Sequence, residues 1–358
     1  MKAAVIKSPG VIKVEEVEKP VPGEGEVLLK VKACAICGTD QRVLAGTKAV
    51  DVDIVGHEIS GTVEALGHGV KGIETGKRYI VQTVIGCGEC AACRREEHNL
   101  CEKGFTAMGY QYKGGFAEYM VMPKVAVDQG CLIPIPDSLS DVEATLIEPL
   151  SCCVNGMKYL PLADLDHVVI FGGGIIGVMN GLVCRAGGAK EITIMDVSQE
   201  RLDMLRDEIK LPFDNFINSK TVDPVQWARE ATGGRGVDAV VVAASVKPLV
   251  AVGLKMLGKG GHLSIFAGMP KPDSEFPIDL NIIHYGEINV HGANSSARAE
   301  YLEARDLIVT GKIDAKPLIT HRFSLDDFNE GVAVQADPAA GGLKIVIIPE
   351  QERVVQNA

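Results

Sequence analysis

Apolar and polar positions alternate in short runs along the first 150 residues: Lys2–Lys7, Val27–Ala35, Ile59–Leu66, Arg78–Gln82 and Phe116–Met122, with glycine or proline between most of them. Alternation broken by turn residues predicts strands, so this stretch reads as an all-β module. From about Asp166 the texture changes. Buried-type segments at Val168–Phe171, Glu191–Asp196, Ala239–Ala243 and Leu263–Ala267 alternate with amphipathic stretches of helical length. Strand and helix in regular alternation predict a parallel sheet. After about Gly292 the alternation stops. A helix is expected near Arg298–Thr310, another opening at Ser324 with Asp327 in a capping-box-like position, and a closing strand at Lys344–Ile348 that rejoins the first module. The expected domains are residues 1–151 with 293–358, and residues 152–292.

Composition narrows the function classes. At 358 residues, 46% apolar and 23% charged, the chain belongs with folded globular proteins of about two domains. Its 47 acidic and 36 basic residues leave a net charge of -11, which repels polyanions, and an aromatic content of 5% offers few stacking platforms. Nucleic acid is therefore not an expected partner. Nor is a membrane: the longest charge-free run, Val168 to Cys184, is short and interrupted by glycines. No signal-peptide pattern opens the chain, and a cytoplasmic location is the expectation. Ten cysteines in that setting point to metal ligation, catalysis or burial rather than a disulfide framework.

In Val168-Val-Ile-Phe-Gly172-Gly-Gly174-Ile-Ile176-Gly177 an apolar strand runs directly into G-x-G-x-x-G and on into an apolar helix. Gly172 permits the tight turn, Gly174 lets the backbone approach a pyrophosphate, and Gly177 lets helix and strand pack closely. The helix N-terminus then faces the anion. Asp196, ending the next apolar strand, suits the adenosine ribose hydroxyls and repels a 2′-phosphate, which favours NAD over NADP. Arg201 is a guanidinium that binds a 2′-phosphate or lies over the adenine. The expected cofactor contacts are Gly172, Gly174, Ile176, Gly177, Asp196 and Arg201.

Cys87-x2-Cys90-x2-Cys93-x7-Cys101 places four thiols in a loop with almost no apolar residues of its own. Such a loop suits one tetrahedral zinc, which supplies folding energy and leaves no coordination position open, so its role is structural. An iron–sulfur cluster fits the fourth spacing poorly. Three further segments, Cys37-Gly-Thr39-Asp40, Gly56-His57-Glu58 and Glu148-Pro149, are each weak alone.

The run Gly56-His57-Glu58-x2-Gly61-x5-Gly67-x2-Val70 resembles the signature of the zinc-dependent medium-chain alcohol dehydrogenases. The cysteine loop, the Glu-Pro pair and the glycine turn follow in that family's order. The resemblance implies an α/β protein with a GroES-like β-rich catalytic domain and a Rossmann doubly wound parallel sheet. It also implies two zinc ions per chain and NAD. The catalytic zinc is expected on Cys37 and His57, with Glu58 and Glu148 ligating directly or through water. Thr39 stands where the family relays the alcohol proton, and Glu148 is a second candidate base. Glu148 replaces the cysteine of ethanol-type members, as in polyol and sugar dehydrogenases such as those for sorbitol and galactitol phosphate. A small polyol or sugar-derived substrate, neutral, phosphorylated or acidic, is thus expected. The alternatives are a threonine 3-dehydrogenase-type enzyme and an inactive cofactor-binding protein with a structural or sensing role.

Arg42 departs from the family pattern, which has a relaying histidine there. Arginine stays charged near neutral pH and cannot shuttle protons. It either recognises a carboxylate or phosphate of the substrate or is a solvated surface group. His284 and Tyr285 are candidate substrate contacts, with a partly buried domain-interface pair as the plainer reading. Asp40 is expected to orient local backbone. By resemblance the chain forms a homotetramer or homodimer through an edge strand near Glu287–His291.

Overall fold

A computed structural model describes residues 1–269 and 274–350. The chain divides into two compact units, one made of residues 1–151 with the segment from 296 onward, the other of residues 152–295.

The first unit is built on a seven-stranded sheet. Its path runs Ile319–Ser324, Lys344–Ile348, Val27–Ala35, Glu58–Leu66, Arg78–Val81 and Leu132–Pro134, with Tyr119–Met122 also paired to Val27–Ala35. The central strand, V-L-L-K-V-K-A-C-A, is buried at almost every position because it has neighbours on both edges and both faces. Leu29, Val31, Ile59, Val81, Phe116, Phe328, Ile345 and Ile347 form the core here. The C-terminal strand does return to the first module, as its K-I-V-I-I pattern suggests.

The all-β expectation needs correction, since the region includes helices Gly38–Leu44 and Ile147–Met157. Ser324 also closes a strand rather than opening a helix. Its Oγ lies 2.7 Å from Asp327 Oδ2 and accepts from Asp327 N at 3.3 Å, and the helix begins at Phe328. The Ser324–Asp327 bonds close the strand-to-helix turn, and the helix itself has no side-chain cap bond.

The second unit carries a six-stranded, wholly parallel sheet in the order Asn215–Asn218, Glu191–Asp196, His167–Phe171, Val237–Val242, Leu257–Ile265, Asn289–Gly292. Numbered along the chain this order is 3-2-1-4-5-6, the doubly wound arrangement that reverses direction beside the first strand. Val168, Val169, Ile170 and Val240 are fully buried, as strands covered on both faces must be.

Candidate active site

Three strand ends meet at one end of the seven-stranded sheet. Ala35 pairs with Glu58 on one side and Val346 on the other, while Cys34 pairs with Ile59 and Ile347. That register brings together the residues just beyond Ala35, just before Ile59, and at the start of Lys344–Ile348. Gly56 adopts φ +97°, and a Cβ there would come within 2.8 Å of Cys34 Sγ, so only glycine lets the chain enter this corner.

Cys37 caps the helix Gly38–Leu44 reciprocally. Its Sγ accepts from Thr39 N at 3.4 Å, and Asp40 Oδ2 accepts from Cys37 N at 2.9 Å. Asp40 Oδ1 lies 3.2 Å from His57 Nδ1, so Asp40 does more than orient backbone: it places a carboxylate against the imidazole. Thr83 Oγ1 donates to the His57 carbonyl at 2.8 Å and fixes the main chain below it.

Donor atoms of Cys37, His57 and Glu58 lie within 4.8 Å of one another. A thiol, an imidazole and a carboxylate at that range form a zinc-type donor set. Glu58 is 0% exposed and its Oε1 has no hydrogen-bond partner among the described residues, a costly state that a cation relieves. The residues thus fit the metal. Glu148, at the start of helix Ile147–Met157, is buried beside this group but is not one of the three mutually close donors. Burial pushes its carboxyl up to about 7, opposed by His57 and reinforced by Glu58. For His57, burial acts to lower the pKa, but Asp40, Tyr110 and Cys37 outweigh it and leave it well above the usual value.

Sequence reasoning missed the counter-charge. Lys344 Nζ forms an ion pair with Glu58 Oε2, both side chains 1% exposed, and donates to Ile36 O at 3.2 Å. A lysine opening a strand reads as a solvated flank; only the pairing of the C-terminal strand with Val27–Ala35 drives it inward. Removing one member of such a pair leaves a buried uncompensated charge. Lys344→Met is therefore expected to lower stability by about 3 kcal/mol in urea unfolding. A loss within experimental error would show that Glu58 needs no lysine.

Thr39 is half-exposed, and its Oγ1 accepts from Arg42 Nη2 at 2.9 Å. The Tyr110 ring stands 5.4 Å from that of His57, and burial pushes the Tyr110 hydroxyl up to about 12. Nothing local in the sequence marks Tyr110.

Cys87, Cys90, Cys93 and Cys101 form a second converging donor set, with no disulfide among them. Their loop folds around sulfur: Cys87 N donates to Cys101 Sγ, Cys90 N to Cys87 Sγ and Cys93 N to Cys90 Sγ, each at 3.4 Å. The Cys93 N–H, followed by that of Glu102, holds the Cys90 thiol down at about 6. Cys87 and Cys93 sulfurs are 3.9 Å apart. Zinc–sulfur bonds of about 2.3 Å at the tetrahedral angle require roughly 3.8 Å.

In the second unit the three glycines take separate roles. Gly172 has φ +110°, and a Cβ on Gly177 would sit 1.8 Å from Gly172 O. A Cβ on Gly174, the N-cap of helix Ile175–Ala186, would meet open space. Ile176 lies in the first turn of that helix, where its carbonyl accepts from Asn180 Nδ2 at 2.9 Å. Asp196 Oδ2 accepts from Gly173 N at 2.7 Å and Oδ1 from Ser198 N at 2.9 Å, which locks the carboxylate at the mouth of the turn. Arg201 lies half-buried close by, its Cγ 3.1 Å from a Cβ built on Gly173. His284 and Tyr285 are not a buried pair. They lie on the helix Leu280–Gly286, both exposed, ring against edge at 4.7 Å. Among the described residues, no helix is long and apolar enough to cross a membrane.

Comparison with known proteins agrees with this geometry. The alcohol dehydrogenase GroES-like domain matches residues 23–137, and the zinc-binding dehydrogenase domain matches residues 176–310. An L-threonine 3-dehydrogenase of Rhizobium etli is 30% identical, over 92% of this chain and 94% of its own length. A sorbitol dehydrogenase of Halalkalibacterium halodurans is 30% identical over 94% and 95%. The crystal structure of a candidate zinc-binding dehydrogenase from Sinorhizobium meliloti 1021 bound to NADP superposes with a TM-score of 0.87 at 31% identity, covering 97% of this chain and 99% of that one. The chain belongs to the zinc-containing medium-chain alcohol dehydrogenase family, with its GroES-like and Rossmann parts. It is an oxidoreductase of the zinc-type alcohol dehydrogenase class, using NAD(H) or NADP(H).

Proposed function

We propose that this enzyme oxidises a secondary alcohol of a polyol or sugar-derived substrate, with NAD as preferred cofactor and zinc held by Cys37, His57 and Glu58 with Glu148 beside them. The observation that carries the reading is the largely buried donor set in which the Glu58 carboxylate accompanies one thiol and one imidazole, with the buried Glu148 carboxyl beside it. That harder set suits an ion able to meet adjacent substrate oxygens. When bound, zinc supplies Lewis acidity toward the alcohol oxygen, and the dinucleotide accepts the hydride.

The protein's own groups divide the remaining work. Asp40 sets a carboxylate 3.2 Å from His57 Nδ1 and so favours one orientation of the ring. The Thr39 hydroxyl receives Arg42's hydrogen bond, so its own proton is directed away from Arg42 and toward a substrate oxygen. Arg42 cannot accept a proton, which breaks the outward Thr39 relay at this point. The buried Glu148 carboxylate is the group able to take the proton instead. The second zinc, on Cys87, Cys90, Cys93 and Cys101, holds its lobe together.

Asp196 supports the choice of NAD. Its fixed carboxylate suits ribose hydroxyls and opposes a 2′-phosphate. A panel of polyols, aldonates, sugar phosphates and L-threonine with both cofactors tests the reading. Turnover of a polyol-type substrate is expected, with NAD+ favoured over NADP+. Asp196→Ser is expected to shrink that preference about tenfold, the equivalent of about 1.4 kcal/mol. Turnover of L-threonine alone would favour the threonine-dehydrogenase reading. For association we propose a homodimer or homotetramer built on the edge of Asn289–Gly292 that has no partner strand among the described residues, with Leu280, Tyr285 and Val290 exposed in the same stretch of chain.

A further inference from the structure

The connection between Cys37 and His57 folds back on itself. Thr47 N and Lys48 N both donate to the Arg42 carbonyl, at 2.8 and 3.1 Å, and Asp51 N donates to the Tyr110 carbonyl at 2.8 Å. These bonds carry Lys48 onto Tyr110, with Nζ 4.3 Å from the ring centroid, and Tyr110 in turn stands against His57. Arg42, on the preceding helix, reaches Thr39 Oγ1. Two cations therefore share the rim of the candidate metal site.

Neither cation has a carboxylate partner among the described residues. By contrast, Lys2, Lys19 and Lys124 each hold a surface carboxylate within 2.8 Å. The acids whose charges act on Lys48 are already committed: Asp40 accepts from Cys37 N and faces His57, and Cys37 belongs to the donor set. Burial, followed by the charge of Arg42, lowers the Lys48 pKa, so the two groups repel. A pair of like charges held together beside a reaction site, with no ion-pair partner among the described residues, is complementary to an incoming anion. A guanidinium offers a planar fork to carboxylate or phosphate oxygens, an ammonium adds a point charge, and the Tyr110 face keeps that ammonium in place.

We propose that Arg42 and Lys48 together bind an anionic group, a carboxylate or phosphate, carried by the alcohol substrate. The inference rests on the dehydrogenase reading above and narrows it to hydroxy acids of the aldonate type and polyol phosphates. The same chemistry describes the phosphates of the dinucleotide, and the test separates the two sources.

The zinc-replete enzyme is assayed at saturating NAD+ with a polyol, its aldonate and its monophosphate, as wild type, Lys48→Gln, Lys48→Arg and Arg42→Gln. Wild type is expected to favour an anionic substrate. Lys48→Gln and Arg42→Gln should each lower the ratio of anionic to neutral kcat/KM by about 10- to 100-fold, mostly through KM, the range for losing one charged hydrogen bond. Lys48→Arg should recover most of it. An unchanged ratio in Lys48→Gln overturns the proposal. So does a matching rise in the NADH dissociation constant without a change in ratio, since the cations would then serve the cofactor. Calorimetric titration of inorganic phosphate into the NADH-saturated enzyme decides the anion site without turnover. Binding in wild type that is lost in Lys48→Gln supports it even if no alcohol reacts, a result that would sink the dehydrogenase reading alone. Absent or equal phosphate binding in both proteins counts against it.

Discussion

Replacing His57 with asparagine is expected to reduce kcat/KM by at least about 10³-fold and to lower bound zinc from two ions per chain to one, because Lewis-acid assistance is worth several kcal/mol and each 1.36 kcal/mol is tenfold in rate. The argument is geometric. His57 is buried, its Nδ1 lies 3.2 Å from Asp40 Oδ1, and the residue belongs to the same 4.8 Å cluster as Cys37 Sγ and a Glu58 oxygen. Asparagine fills part of the volume without an imidazole donor. The His57 main chain stays anchored through Thr83, so the fold is expected to persist. Metal analysis, steady-state kinetics and circular dichroism on one preparation check all three points. Retention of two ions with lost activity would make His57 something other than a ligand.

The second large effect separates two glycines that look alike in the motif. Gly177→Val places a Cβ 1.8 Å from a main-chain oxygen, an overlap no side-chain rotation relieves. Helix and turn must move apart, and NADH binding is expected to fall below detection with a lowered unfolding temperature. At Gly174 the same atom meets open space, so the protein alone tolerates Gly174→Ala with little change in unfolding temperature. Its NADH affinity should nevertheless fall, because that space is where backbone approaches the pyrophosphate. Fluorescence titration with NADH and a thermal melt on each variant give the contrast. Equal melting behaviour of the two would show that Gly177 is not a packing requirement.

Local pattern carried the parallel sheet, the glycine turn and the convergence of the four cysteines, since each is written in contiguous residues at characteristic spacing. Cys37, His57 and Glu148 were joined only through resemblance, because nothing local reports the register that sets Ala35 beside both Glu58 and Val346. For the same reason Lys344 at Glu58, Asp40 at His57 and Lys48 over Tyr110 were invisible: each joins segments far apart in sequence. The strand Asn215–Asn218 was missed because N-F-I-N is short and polar at both ends, and its four residues are all half-buried at a sheet edge. For His284 and Tyr285 the sequence offers only chemistry-bearing side chains near a change of texture. The structure gives them an exposed helix and each other.

Anomalous diffraction at the zinc edge from zinc-loaded crystals tests the central claim most directly. Two peaks per chain are expected, one among the sulfurs of Cys87, Cys90, Cys93 and Cys101, the other bounded by Cys37, His57 and a carboxylate. A single peak confined to the four-cysteine lobe would contradict the assignment of the buried corner as the place where the alcohol reacts.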